Sequence, residues 1–132
     1  MQNSDNDSVT IVLITWNGIQ YIEKTIPKLL DLDYHNVDYV FVDNGSVDGS
    51  TQYLEKMKNE NSDKLITIIK NSDNLGISIA KNQGAARARG KYILFLDDDM
   101  FIENHDFLSN IVSFYKKLDS PAFVMPFFLE LG

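Results

Sequence analysis

The chain has 132 residues, enough for one domain with a sizeable core, and its 44% apolar and 23% charged content is ordinary for a globular protein. A net charge of −7, with no basic patch beyond the pair Lys116-Lys117, argues against a nucleic-acid partner. The absence of cysteine removes disulfides, thiolate metal sites and cysteine nucleophiles; a reducing, cytoplasmic location is expected, including the cytoplasmic face of a membrane.

Met1 to Ser8 is polar and acidic, unlike a signal or transit peptide, and is expected to be a frayed tail preceding a single domain over 9–132. No apolar run approaches the roughly 20 residues that span a bilayer. Val9 to Ile14 is β-branched and apolar throughout, as in a central strand, and it runs into the turn signal Thr15-Trp16-Asn17-Gly18. Ile19, Ile22, Ile26, Leu29 and Leu30 follow at helical spacing, with Pro27 expected to kink or break the helix. A second strand, Val37 to Val42, ends in the turn-rich Asp43-Asn44-Gly45-Ser46-Val47-Asp48-Gly49-Ser50, where Asp48 or Ser50 is the candidate N-cap of a helix from about Thr51 to Asn59. Tyr53, Leu54 and Met57 give that helix its buried side.

Leu65 to Ile69 reads as a short third strand and Asn71 to Gly76 as another loop. In the next helical stretch Ala80, Gly84 and Ala88 recur every four positions, a row of small residues that admits close packing on a sheet, and Gly90 is the expected C′ residue. Tyr92-Ile93-Leu94-Phe95-Leu96 then leads into Asp97-Asp98-Asp99. The unbroken apolar run predicts a strand buried on both faces, with Asp97 and Asp99 on one side and Asp98 on the other if the extension persists. Asp106 or Asn104 begins a last helix whose buried stripe is read as Phe107, Ile111, Phe114 and Leu118, and Ala122 to Met125 is a candidate further strand. Strand alternating with helix predicts an α/β fold, a mostly parallel open sheet with helices on both faces.

The three carboxylates carry the chemistry. Two like charges about 5 Å apart repel by roughly 3 kcal/mol at an effective dielectric near 20. A divalent cation reverses that term, since hard cations such as Mg²⁺ take carboxylate oxygens. The competing account is a solvated acidic turn capping the next helix. If the first and fourth strands are neighbours, Thr15-Trp16-Asn17, Asp43-Asn44 and Asp97-Asp98-Asp99 share the crevice at the strand ends where open α/β sheets bind ligands. His35 and His105 have no partners at metal-ligand spacing and read as surface residues; Arg87 and Arg89 fit a solvated helix C-terminus, where cations are favoured. Asn74 and Asn82 read as loop and helix-end hydrogen bonders.

In order and spacing, Val9–Gly18, Val42–Ser50, Asn74–Gly84 and Leu94–Asp99 resemble the large inverting, metal-dependent glycosyltransferase family 2, with the Rossmann-like A-type (GT-A) fold. The resemblance covers roughly Val9 to Lys117. It implies a nucleotide-sugar donor, linked to UDP, GDP or dTDP, with Thr15, Trp16 and Asn17 lining the nucleotide pocket and Asp43 and Asn44 at the base and ribose. Lys81 would stand where the family often has arginine, and Asp97, Asp98 and Asp99 would supply the family's Asp-x-Asp motif. In it Asp97 faces ribose or metal, and Asp99 holds Mn²⁺ or Mg²⁺ against the diphosphate. The sugar would pass to an acceptor hydroxyl of unknown identity.

Three departures from the pattern stand out. The family often has a second acid where this chain has Asn44, and Lys81 lacks the bidentate fork of arginine. The acceptor-binding half with its catalytic base normally follows the triplet by many tens of residues, and here only Met100 to Gly132 follows, with Glu103, Asp106, Asp119 and Glu130 the carboxylates in it. The chain is therefore expected to be a nucleotide-binding half, or a short relative that completes itself by homo-oligomerising through the apolar Phe127-Phe128-Leu129. A non-catalytic nucleotide-sugar-binding module is the alternative function. An aspartate-nucleophile phosphatase also places Asp-x-Asp at a strand end, but normally after its first strand.

Overall fold

Val9–Thr15 forms the central strand, β1, and all seven of its side chains are buried. The computed structural model describes residues 7–100 and 102–119. Around β1 the chain builds α1 (Ile19–Leu30), β2 (Val37–Asp43), α2 (Ser50–Glu60), β3 (Ile66–Lys70), α3 (Ile77–Arg87), β4 (Tyr92–Asp97) and α4 (Phe107–Lys117). The four strands are parallel in the order β3-β2-β1-β4. Strand order therefore reverses between β1 and β4, and the expected α/β fold with adjacent first and fourth strands is what forms.

The register sorts the strand side chains into two cores. Val9, Ile11 and Leu13 of β1 pack with Tyr39, Phe41 and Leu96 against α1, α2 and α4, through Ile22, Ile26, Leu29, Leu54, Leu108 and Val112. Val12 and Ile14 join Val40 and Val42 against α3, through Ala80. Gly84 lies on Val12 so closely that a Cβ there would overlap the Val12 Cγ1, which is why this helix needs its small residues. The row ends sooner than expected: α3 stops at Arg87, and Ala88 is already extended. Gly90 is not a left-handed cap; a Cβ there would come within 2.6 Å of Thr10 N and 2.8 Å of Val9 C, so glycine lets the chain cross the start of β1.

Other expectations change with packing. Ser8 and Asp7 are not part of a frayed tail. The Ser8 carbonyl accepts from Tyr92 N at 3.0 Å, and buried Asp7 pairs with Lys116 at 3.0 Å. α1 runs unbroken through Pro27. The carbonyl that Pro27 leaves without an i+4 donor, Glu23 O, faces the Tyr53 hydroxyl at 3.5 Å, the outer limit of a hydrogen bond. α4 buries Leu108 and Val112, whereas Phe114 and Leu118 are exposed. β4 is buried on one face only: it is the outer strand among the described residues, and Ile93 and Phe95 are exposed on the other face. The candidate strand Ala122–Met125 and the apolar Phe127-Phe128-Leu129 lie outside the described residues. No helix among the described residues is long and apolar enough to cross a membrane.

Candidate active site at the β1–β4 switch point

Parallel strands put all four C-termini at one end of the sheet, and the loops leaving them enclose a crevice of about 360 Å³. Trp16, Ile14 and Ile77 form its apolar part; Asn44, Asn74, Asp97, Asp98 and Asp99 form its polar part. A depression of similar size, about 410 Å³, lies between α1 and α2. It is lined by Pro27, Lys28, Leu30, Asp31, Met57 and Asn61, with one carboxylate where the strand-end crevice has three.

Each strand end divides its residues between wall and support. At the end of β1, Thr15 is buried and Trp16 is half exposed on the crevice. Asn17 takes a left-handed conformation (φ 48°) and faces the β2–α2 loop, its backbone N donating to Ser46 Oγ at 2.9 Å and its Oδ1 accepting from Val47 N at 2.8 Å. At the end of β2, Asp43 is buried, accepting from Ser46 N at 3.0 Å and from the Thr51 hydroxyl. Asn44 is also almost wholly buried, yet its edge reaches the crevice. Gly45 (φ +88°) passes against the Asp73 backbone, where a Cβ would come within 2.7 Å. Asp48 serves two helices at once. Its Oδ2 accepts from Ile19 N at 3.0 Å and its Oδ1 from Ser50 N at 3.0 Å, while Gly49 rather than Asp48 or Ser50 occupies the N-cap position.

β4 ends at Asp97 and the chain turns at once, so strand alternation does not carry through the triplet. The middle acid is nonetheless separated from its neighbours. Thr15 Oγ1 donates to Asp98 Oδ2 at 2.8 Å, and Thr25 Oγ1, from the buried face of α1, donates to the Asp98 carbonyl at 2.8 Å and lies 3.3 Å from the Met100 carbonyl. Gly18 makes room for this carboxylate, since a Cβ there would overlap Asp98 Oδ2. Burial raises the Asp98 pKa; the Thr15 hydrogen bond opposes this, and the charges of Asp99 and Asp97 raise it further. Asp97 and Asp99 stay exposed. No lysine, arginine or histidine of the described residues pairs with either.

The structure thus gathers Trp16, Asn44, Asp97, Asp98 and Asp99 at one crevice. It sets Thr15 behind the wall and Asn17 and Asp43 in the turns that support it. Lys81 stands apart on α3, its Nζ 5.8 Å from the Phe95 ring centroid over the open face of β4. Asn74, read from sequence as a loop hydrogen bonder, is a crevice residue as well. Thr25 was hidden in the apolar stripe of α1; its one signal is a hydroxyl at the helical position beside Ile22 and Ile26. Among the described residues no three His, Asp or Glu side chains form a closed metal-binding cluster. Two unpaired carboxylates at an open crevice are instead the donor set with which a hard cation also takes ligand oxygens and water.

The family model described as glycosyl transferase family 2 matches residues 10–129. The chain belongs to that family. A putative teichuronic acid biosynthesis glycosyltransferase of Bacillus subtilis, TuaG, is 32% identical over 91 residues, covering 69% of this chain and 35% of the relative. The mannosyltransferase PcManGT of Pyrobaculum calidifontis, solved in complex with GDP-Man and Mn²⁺, superposes with a TM-score of 0.78 at 25% identity, covering 81% of this chain and 32% of the other. Residues 1-349 of TarS from S. aureus, solved with UDP-GlcNAc, give a TM-score of 0.73 at 25% identity over 83% of this chain and 31% of the other. The fold is therefore the A-type glycosyltransferase fold, and the chain spans about a third of the length of these proteins.

Proposed function

We propose that this chain is the donor-binding part of a metal-dependent, inverting glycosyltransferase that takes a nucleoside-diphosphate sugar and passes the sugar to an acceptor hydroxyl. One observation carries the reading: the acids at the end of β4 open into the same crevice as Trp16 and Asn74, at the point where strand order reverses. Support comes from two similar structures, one with GDP-Man and Mn²⁺ and one with UDP-GlcNAc.

In this reading the Trp16 indole, with Ile14 and Ile77, offers a flat apolar surface for the base. Asp97 and Asp99 hold Mn²⁺ or Mg²⁺ at the diphosphate. When bound, the cation neutralises the charge that develops on the leaving nucleoside diphosphate. Asp98 is a supporting acid: Thr15 and Thr25 fix the turn from which its two neighbours project. Asn44 supports the loop that carries Asn74. Beyond the triplet no carboxylate of the described residues lines the crevice. The base that deprotonates the acceptor is therefore not assigned to this stretch.

Isothermal calorimetry with UDP, GDP and dTDP, each with Mn²⁺ and with EDTA, tests the reading. One of the three should bind in a metal-dependent manner, and Asp99→Ala should weaken that binding by about tenfold or more. Failure of all three to bind, or binding indifferent to EDTA, overturns it.

A further inference from the structure

The outer edge of β4 is shaped to take a further strand. In a parallel ladder alternate residues turn both backbone groups to the same neighbour, and Tyr92 N donates to Ser8 O at 3.0 Å, so Tyr92, Leu94 and Leu96 face β1. Ile93 and Phe95 then point their N–H and C=O outward, where no strand lies among the described residues. At the two ends of this edge Lys91 N is taken by Ser8 Oγ at 2.9 Å and the Asp97 carbonyl by Met100 N at 3.3 Å. Tyr92 to Leu96 carries no charge, proline or glycine, the devices that usually keep an edge from pairing. The flank of α4 beside it is apolar as well. Going round that helix, Lys116 reaches Asp7 just ahead of β1, and Tyr115 rests on Tyr92 with ring centroids 5.2 Å apart. The next flank in the same sense, with Ile111 and the exposed Phe114 and Leu118, overhangs the open edge. A parallel strand entered from α4 would make a left-handed crossover there, because α4 shares a face of the sheet with α1 while the edge lies on the other side of β1 from β2. The edge therefore suits an antiparallel strand.

We propose that this strand is β4 of a second copy of the chain, related by a twofold axis through Leu94 and normal to the sheet. That register sets Ile93 opposite Phe95 twice, and four backbone hydrogen bonds then use every outward group of both residues in both copies. It also sets Lys91 of each copy opposite Asp97 of the other, giving two cross-strand pairs of opposite charge. A shift of two residues either way pairs Ile93 or Phe95 with itself and sends the other against Lys91 or Asp97, where one backbone group is already engaged. The two four-stranded sheets join into one, and the apolar flanks of the two α4 helices meet over the axis. The exposed Ile93 and Phe95 side chains become cross-strand neighbours on the opposite face.

Sedimentation equilibrium of the whole chain, with backbone amide exchange by NMR, tests this without any ligand. Wild type should dimerise reversibly, with the Ile93 and Phe95 amides protected in the dimer and open on dilution to monomer. Lys91→Asp and Asp97→Lys each put like charges at both pairs, and each should raise the dimer dissociation constant by about tenfold or more. Mixed in equal amounts, the two variants should form a heterodimer near wild-type affinity, since every charge then meets its opposite; a general loss of stability gives no such recovery. Ile93→Pro removes an outward N–H and no bond to β1, and should give a monomer with the circular dichroism of the wild type. A wild type that stays monomeric at millimolar concentration overturns the proposal. So do Ile93 and Phe95 amides protected in the monomer, which would mean that the chain covers its own edge. A dimer that survives both charge variants, single variants that stay apart when mixed, or a folded Ile93→Pro dimer overturns it equally. Nucleotide plays no part in any of these readings, so failure here leaves the donor-binding proposal standing, and failure of that proposal leaves the dimer.

Discussion

Thr25→Val isolates one hydroxyl on which the acid turn depends. Thr25 is 4% exposed, between Ile22 and Ile26 on the face of α1 that packs against the sheet. Its Oγ1 reaches across to the Asp98 carbonyl at 2.8 Å. Valine has the same shape, so packing is kept and the change falls on the hydrogen bond. A net hydrogen bond contributes about 0.5–1.5 kcal/mol, and a buried carbonyl left without a donor raises the loss to roughly 1–3 kcal/mol. With a urea m-value of about 2 kcal/mol/M for a domain of this size, the unfolding midpoint should fall by roughly 0.5–1.5 M, read by far-UV circular dichroism. The turn carrying Asp98 and Asp99 also loses its tie to α1, so metal-assisted nucleotide binding should weaken at urea-free, fully folded conditions. Thr25→Ser separates the effects: it removes a buried methyl, with a modest stability loss of about 1 kcal/mol, but keeps the hydroxyl and should keep the affinity. A valine protein with an unchanged midpoint and unchanged affinity, or a serine protein that loses affinity as the valine one does, would refute the role given to this hydroxyl.

Asp98→Asn should raise the melting temperature at pH 7. The folded state raises the Asp98 pKa by burial and by the charges of Asp99 and Asp97, so the stability linked to its proton is present below the unfolded value and lost as pH rises through the folded one. Asparagine keeps an oxygen for Thr15 and avoids the charge; for a half-exposed group the gain should be no more than about 1 kcal/mol, shrinking towards zero below roughly pH 4, as thermal melts across pH would show. Gly84→Ala should lower stability despite the helix propensity of alanine. Overlap with Val12 costs about 1–3 kcal/mol against a propensity gain of about 1 kcal/mol, so a melting temperature equal to or above wild type would show that α3 rides higher on β1 than described.

What the sequence made legible follows from the demands of a parallel sheet. A strand covered on both faces must be apolar at every position, so β1 and β2 announce themselves, and small residues at Ala80 and Gly84 mark the helix that comes closest to them. The same rule misleads at β4. Tyr92, Leu94 and Leu96 turn towards the core beneath α1 and α4, but Ile93 and Phe95 stay exposed on the other face, where α3 packs mainly on β1 and β2, so a two-sided pattern sits on a one-sided strand. Periodicity misleads in a different way at α4. Phe107, Ile111, Phe114 and Leu118 make as regular a stripe as Leu108 and Val112, and only the position of the sheet chooses between them.

The site divides along the same line. Strand ends must meet at one edge of a parallel sheet, which is why the residues after β1, β2 and β4 could be brought together from their order alone. Which residue at each end forms the wall depends on where the chain leaves the pleat. Trp16 faces the crevice and Thr15 does not; Asn44 reaches it and Asp43 turns back to Ser46 and Thr51; Asp98 is held by threonines from two other elements while Asp97 and Asp99 stay free of them. Asp43 is turned by partners close in sequence, but the others depend on partners distant in the chain: Thr25 lies 73 residues from the carbonyl it holds, and Asn44 lies 30 from the amide it orients. Such pairings leave no periodic trace, because a single hydrogen bond constrains one residue at each end and nothing between. The candidate site could therefore be located from the sequence to the edge of a sheet, while the division between groups that line the crevice and groups that hold them in place required the packed structure.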